Sequence, residues 1–220
     1  MKMSLAEENY LKAIYHLSEG GESDVNTNSI ADELNTKAAS VTDMMRKLSD
    51  KDVINYQKYK GVQISKKGKL IALEVIRKHR LWEVFLVEKL AYSWDEVHDL
   101  AEQLEHIKSP TLINRLDKYL GYPTIDPHGD PIPNEHGEIF EHPQHPLAEL
   151  EVGKSGVVVK VPDGNASLLQ HLAKIKIRLG SKIALKEKVE FDNSVLINID
   201  NTHELYLSGQ IAQTIMIAIK

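Results

Sequence analysis

Six side chains able to hold a divalent cation sit at helical spacing in the middle of the chain. His79 and Glu83 are four residues apart, and His98, Glu102, Glu105 and His106 follow at 0, +4, +7 and +8. Either spacing puts its residues on one face of an α-helix. Such a stripe normally carries apolar core. Two imidazoles and two carboxylates would be costly to bury there unless a cation joined them. Any one of these histidines alone reads as a solvated or hydrogen-bonded side chain, but six residues in register favour a metal bound between two helices. The donors are nitrogen and oxygen only. They suit Mn²⁺, Fe²⁺, Co²⁺, Ni²⁺ or Zn²⁺, and surplus carboxylate without sulfur leans toward the harder Mn²⁺ or Fe²⁺. Asp126 and His128 add a carboxylate and an imidazole that alternate on an extended chain. They lie in a stretch from Tyr122 to Pro146 that is rich in Pro, Gly and His and reads as a linker or a docked loop.

The second kind of chemistry is charge. Between Thr36 and Arg80, twelve Lys and Arg face four Asp and Glu, while the whole chain carries 27 bases, 32 acids and a net charge of −5. A basic module on an acidic body suits nucleic-acid binding, with a solvated basic surface as the plainer alternative. The elements around it agree with the first. Leu5 to Ser18 has the apolar spacing of an amphipathic helix, and GGES ends it. Asn26 to Leu34 predicts a short helix capped by Asn26 or Thr27, TKAAS a turn, and Val41 to Leu48 a helix capped by Ser40. VINYQKYKGVQIS predicts two strands about a Lys60-Gly61 turn. Helix, turn, helix and hairpin is the winged-helix order. The N-terminal end of the second helix would enter the major groove. Thr36, Lys37, Ser40, Thr42 and Asp43 stand there, Arg46 and Lys47 lie a turn later for phosphates, and Lys58 and Lys60 lie in the wing.

Ser65 opens a helical pattern running to about Leu90. Ser93 and Glu96 match a capping box that opens a helix to Ile107, and Ser109-Pro110 starts another ending before Gly121. Beyond Leu147, GVVVKV, KIALKEK, VLINI and TIMIAIK read as strands and Ala166 to Lys174 as a helix, which predicts a small β-barrel or sandwich. The sequence has no cysteine, so disulfide and thiolate sites are excluded and a reducing cytoplasm is expected. No apolar run reaches membrane length, and the amphipathic, early-acidic start does not read as a secretory signal.

The runs RKHRLWE and VHDLAEQLEH resemble the diphtheria toxin repressor family of metal-dependent regulators, which includes iron-dependent and manganese-transport regulators. The resemblance covers nearly the whole chain. It implies a mainly α protein with a small β part: a winged helix-turn-helix DNA-binding domain over 1–72, a helical metal-binding and dimerisation domain over 73–142, and an SH3-like domain over 147–220 similar to ferrous-transport protein A. Glu102, Glu105, His106 and, from the first helix, Asn9 match the family's primary metal site. Manganese-type members have Asp at the position of Asn9 and the diphtheria type has Met. Binuclear manganese-type members have Glu where this chain has Lys12. His79, Glu83 and His98 match the ancillary site of the diphtheria type. A secondary site of streptococcal type would instead draw on Glu83, Asp126, His128 and Asp163, with Asp126 replacing Cys. The resemblance implies a cytoplasmic homodimer that represses metal-uptake genes, with Mn²⁺ or Fe²⁺ ordering its winged helices for a double-stranded operator. It implies no membrane partner, organic substrate or enzymatic activity.

Three other readings compete. A metal-buffering or adaptor protein without DNA function would leave the basic stretch from Thr36 to Arg80 unexplained. A metallohydrolase would need an open coordination position and a general base, and the chain contains no His-Glu-x-x-His. A winged-helix regulator sensing an organic ligand would need an apolar pocket between its central helices.

Overall fold

The computed structural model describes residues 2–57, 60–140 and 143–219. Lys58, one of the two wing lysines, lies outside the described residues. The chain forms two compact units. One comprises Met1–His79, Gln103–Pro110 and Pro133–Ile139, the other Arg80–Glu102, Thr111–Ile132 and Phe140–Lys220.

In the first unit, α1 spans Leu5–Leu17 and opens with a capping box. Ser4 Oγ accepts from the Glu7 amide at 3.3 Å, and the Glu7 carboxylate accepts from the Ser4 amide at 2.8 Å. Helix α2 spans Thr27–Glu33, and Asn26 Oδ1 accepts from the Ser29 amide at 2.8 Å. Helix α3 covers Ala38–Asp50, three residues earlier than expected, with Lys37 at its N-cap and no side chain closing its first turn. Ala38 and Ala39 are strong helix formers and leave Ser40 inside the helix, not at its cap. Strands β1 (Ile54–Gln57) and β2 (Gly61–Ile64) form the wing, with Asn55 opposite Gln63. Leu11, Ile14, Ile30, Val41, Met45, Leu48, Val53 and Val62 make one buried core. Full burial of such side chains stabilises by about 1.5–3 kcal/mol each.

Helix α4 runs Lys66–Leu90. Ser65 Oγ accepts from the Gly68 amide at 3.1 Å. A Cβ on Gly68 would sit 2.0 Å from the Val53 carbonyl oxygen, so glycine lets the start of α4 press against the wing.

Two more helices follow. α5 covers only His98–Leu104 and α6 covers Pro110–Tyr119. The Ser93–Glu96 contact forms, with Glu96 accepting from the Ser93 amide at 3.0 Å and its hydroxyl at 2.7 Å. It closes a turn ahead of the helix and not its first turn, so α5 begins later than expected. It also ends sooner: Glu105 and His106 fall in the turn after it. Pro110 disfavours helix at the residue before it, so the chain must leave helical geometry ahead of α6.

In the second unit, Leu81, Val84, Ile113, Leu116 and Ile132 form a small core. A larger core fills the C-terminal sheet, whose strands are β3 (His145–Pro146), β4 (Ser155–Lys160), β5 (Lys182–Lys188), β6 (Val195–Ile199), β7 (His203–Leu207) and β8 (Met216–Ile219). Their order is β3-β8-β4-β5-β6-β7 and every pairing is antiparallel. Val195, Ile197 and Ile199 alternate into the core as strand pleating requires. Leu169 and Leu172 of α7 (Ala166–Lys174) join them. β7 and α8 (Gly209–Thr214) were not among the expected elements, although Ser208 caps α8 by accepting from the Ile211 amide at 3.3 Å. Among the described residues no helix is long and apolar enough to cross a membrane.

Candidate metal centre

The Asp126 loop is shaped by its own side chain. Asp126 Oδ1 accepts from the His128 amide at 2.8 Å and the Asp130 amide at 2.9 Å. Backbone bonds from the Asp126 amide to the Asp130 carbonyl and from the Ile132 amide to the Thr124 carbonyl, both 2.9 Å, close the loop. The Val161 amide then donates to the His128 carbonyl at 2.9 Å, pinning the loop to the end of β4. Gly129 lies between them at φ +93°, and a Cβ there would stand 1.8 Å from the Val159 carbonyl oxygen. Gly129→Ala is therefore expected to lower stability by about 2–3 kcal/mol. The check is the midpoint of urea unfolding, together with weaker Mn²⁺ uptake as His128 is displaced.

This loop brings His128 to Glu83 of α4. Glu83, Asp126 and His128 are all buried, and each offers a ligand atom within 4.8 Å of the others. His128 Nδ1 is 3.7 Å from Glu83 Oε1. His98, the first residue of α5, places Nδ1 3.8 Å from the same oxygen and 3.8 Å from Asp163 Oδ2. Asp163 stands in the turn between β4 and α7. Glu83 is thus shared by two groups, one with Asp126 and His128 and one with His98 and Asp163, each with ligand atoms within 4.8 Å of one another, and donors around one ion at about 2.0–2.3 Å lie roughly 3–4 Å apart. Two buried atoms, Asp126 Oδ2 and His128 Nδ1, make no hydrogen bond. An ion satisfies both, so the donor set fits a divalent metal.

The surroundings fix which ring nitrogen of His128 faces Glu83. His128 Nε2 lies 2.7 Å from the Trp94 carbonyl oxygen. A carbonyl can only accept, so Nε2 carries the proton and Nδ1 faces Glu83, the arrangement that orients ligating imidazoles. The Trp94 ring stacks on the imidazole with an interplanar angle of 14°. Burial works to lower the His128 pKa, but Glu83, Asp126 and the Trp94 carbonyl outweigh it and push it up to about 9. Burial, with Asp130 and Glu83 nearby, pushes the Asp126 carboxyl up against the opposing pull of Arg80 and His128. Arg80 Nε is 3.5 Å from Asp126 Oδ2, its Nη2 is 3.1 Å from Asp130, and Lys160 reaches Asp130 at 2.8 Å. A bulge in β4 between Val158 and Lys160 allows that last contact.

The set matched to the family's primary site is placed differently. Glu102 is exposed on α5, its carboxylate 3.8 Å from His98 Nε2. Glu105 is buried in the first unit and meets Lys12 and His79, while His106 meets Glu8. Glu8 was not among the expected site residues, nor was Lys12 among the expected partners of Glu105. The helical spacing of Glu8 and Lys12 within α1 was the available signal. Asn9 Oδ1 is buried and makes no hydrogen bond.

Around α3, Lys37, Ala38, Ala39, Ser40, Arg46, Lys47 and the wing residue Lys60 are exposed. The open first turn of α3 leaves backbone N–H groups available to an anion. Asp43 pairs with Arg46 at 3.3 Å, and the Thr42 hydroxyl donates to the Ala38 carbonyl at 3.0 Å. Thr36 turns inward to hydrogen-bond Tyr10, whose phenol is pushed up by burial. Part of the basic excess is internal: Arg77 and Lys78 are buried, and the Arg77 guanidinium donates to the Pro133 carbonyl at 2.8 Å.

Three family models match consecutive stretches of the chain. They are the iron dependent repressor N-terminal DNA-binding domain over residues 2–62, the iron dependent repressor metal-binding and dimerisation domain over 65–134, and the FeoA domain over 145–219. The iron-dependent repressor IdeR of Mycobacterium tuberculosis is 34% identical over 126 residues, 57% of this chain and 54% of its own length, so the match spans about half of that relative. The regulator MntR of Oceanobacillus iheyensis is 32% identical over 52% of this chain and 77% of its own. A solved manganese-dependent transcriptional repressor in complex with manganese superposes with a TM-score of 0.89 at 34% identity, covering 97% of this chain and 100% of the other. With the fold, the DNA-binding unit and the metal-binding segment all matched, the chain belongs to the family of iron- and manganese-dependent transcriptional repressors.

Proposed function

We propose that this chain is a cytoplasmic, homodimeric repressor of metal-uptake genes, and that Glu83, Asp126, His128, His98 and Asp163 hold the Mn²⁺ or Fe²⁺ that activates it. The carrying observation is the pair of buried atoms without hydrogen bonds, Asp126 Oδ2 and His128 Nδ1, facing the Glu83 carboxylate. The chain reads as three modules: 1–72 for DNA, 73–142 for metal and dimerisation, and 147–220 for the SH3-like domain. A bound ion supplies an electrostatic crosslink among these five side chains. Glu83 belongs to α4, whose first turn is held by Ser65 and lies against Val53 of the wing. Helix α4 is therefore the element through which the centre reaches the DNA reader. Operator half-sites fall at fixed spacing on the duplex, so a dimer that populates the competent spacing only rarely binds poorly. A hundredfold gain in operator affinity needs only about 2.7 kcal/mol of differential binding.

The exposed α3 residues Lys37, Ser40, Arg46 and Lys47, with Lys60 in the wing, are the DNA contacts that the geometry supports best. Thr42 and Asp43 sit among them, and Thr36 acts from behind through Tyr10. The relatives that support this reading are regulators and not enzymes. The test is fluorescence anisotropy on a duplex selected from random sequence in the presence of Mn²⁺. Tight binding with Mn²⁺ and weak binding with chelator is the expected result, and equal affinities would sink the reading. On the same duplex, Lys47→Ala is expected to weaken binding similarly across sequences and to make the log–log salt slope shallower by about one unit, as loss of one phosphate contact does.

A further inference from the structure

A second group of ionisable side chains, in the first unit, already holds a cation of its own. Lys12 Nζ lies 2.8 Å from both carboxylate oxygens of the buried Glu105. His79 Nδ1 meets Glu105 Oε2 at 2.7 Å, and His106 Nε2 stands 3.6 Å from Oε1. Through its other nitrogen His106 meets Glu8 Oε2 at 2.7 Å, and Lys108 Nζ lies 3.6 Å from Glu8 Oε1. Lys108 also donates to the Met3 carbonyl. An ammonium that bridges both oxygens of a buried carboxylate, with an imidazole on either side, sits where those donors would otherwise enclose a metal ion.

Charge separates this cluster from the Glu83 centre. Here the carboxylates of Glu8 and Glu105 face the ammoniums of Lys12 and Lys108, leaving no negative excess for a dication. Around Glu83, by contrast, the carboxylates of Glu83 and Asp163 meet imidazoles, those of His98 and His128, while Arg80 and Lys160 meet Asp126 and Asp130. An ion entering the Glu105 cluster would have to expel Lys12 from a buried carboxylate and leave that ammonium to be satisfied elsewhere, a heavy desolvation cost.

We propose, on the reading of the Glu83 centre given above, that Lys12 is the resident cation of the Glu105 cluster. It fastens α1 to the Gln103–Pro110 segment without metal, and the chain responds to metal through the Glu83 centre alone. This departs from what the family resemblance implies for Glu105 and His106, and the cause is local: an ammonium at position 12 that bridges both oxygens of Glu105.

Binding stoichiometry tests it. Mn²⁺ is titrated into the full chain and the free ion is followed by room-temperature electron paramagnetic resonance, with folding checked by circular dichroism. One ion per chain is expected in the wild type, none in His128→Ala and one in Glu105→Gln. Two ions in the wild type, an ion surviving in His128→Ala, or loss of the ion from folded Glu105→Gln would each overturn the proposal. Should Glu105→Gln not fold, His106→Gln is read in the same way. No ion in the wild type would leave Lys12 as the cation and overturn the Glu83 centre instead.

Discussion

Glu83→Gln is expected to raise the Mn²⁺ concentration needed for operator binding by at least about a hundredfold. Glu83 is fully buried, and one of its oxygens faces both His128 at 3.7 Å and His98 at 3.8 Å. The amide keeps the shape and one acceptor but removes the charge at the middle of the donor set. Loss of a partner that merely orients a ligand costs ten- to a hundredfold in metal affinity, and losing a central anionic donor costs more. The change also removes the anion that repels the Asp126 carboxylate and supports the His128 proton, so the metal-free variant carries a different internal charge. For that reason the measurement is Mn²⁺-dependent anisotropy on the selected duplex, paired with a thermal melt in chelator. A Mn²⁺ midpoint within a fewfold of wild type, in a folded variant, would move the activating ion away from Glu83.

Glu105→Ala is expected to cost about 3–5 kcal/mol of stability whether or not metal is present. Removing one partner of a buried ion pair leaves the other charge desolvated. The Glu105 side chain is 1% exposed, and those of Lys12 and His79 are 15% and 7% exposed. Burial works to raise the Glu105 pKa, but the His79 hydrogen bond and the Lys12 charge outweigh it and hold the carboxyl below its ordinary value. A depressed folded pKa gives stability that is present above the ordinary carboxylate range and is lost as the pH falls through the folded value. The gap between wild type and Glu105→Ala should accordingly narrow in acid. Urea unfolding at neutral and at acid pH, in chelator, checks both statements, and a variant within 1 kcal/mol of wild type at neutral pH would contradict them.

What the sequence disclosed and what it hid follow from the range of the forces involved. Apolar periodicity is local, so α1, α2, the wing, α6, α7 and most strands of the sheet lie where spacing places them. Caps act within a turn, and Asn26 does what its type predicts. The Ser93–Glu96 pair shows the limit: its hydrogen bonds form, but they close a turn ahead of α5 and not its first turn. The candidate metal donors divide in the same way. Glu83, His98 and His128 are recognisable as ligand types, and the alternation of Asp126 with His128 survives as a turn whose carboxylate holds two backbone amides. Whether Glu105 faces a metal or an ammonium depends on a residue 93 positions away. No window of sequence contains that pairing. Likewise, the charge tally of the N-terminal half counts Arg77 as surface because composition cannot see that its guanidinium is spent on a backbone carbonyl.

Asp126 stands where a streptococcal-type site would carry a thiol, and the chain contains no cysteine. Thiolate ligands are consumed by peroxide, passing through sulfenic to sulfinic and sulfonic acids. Carboxylate and imidazole donors have no step on that ladder. A sensor assembled from them would lose no ligand by that route when peroxide rises.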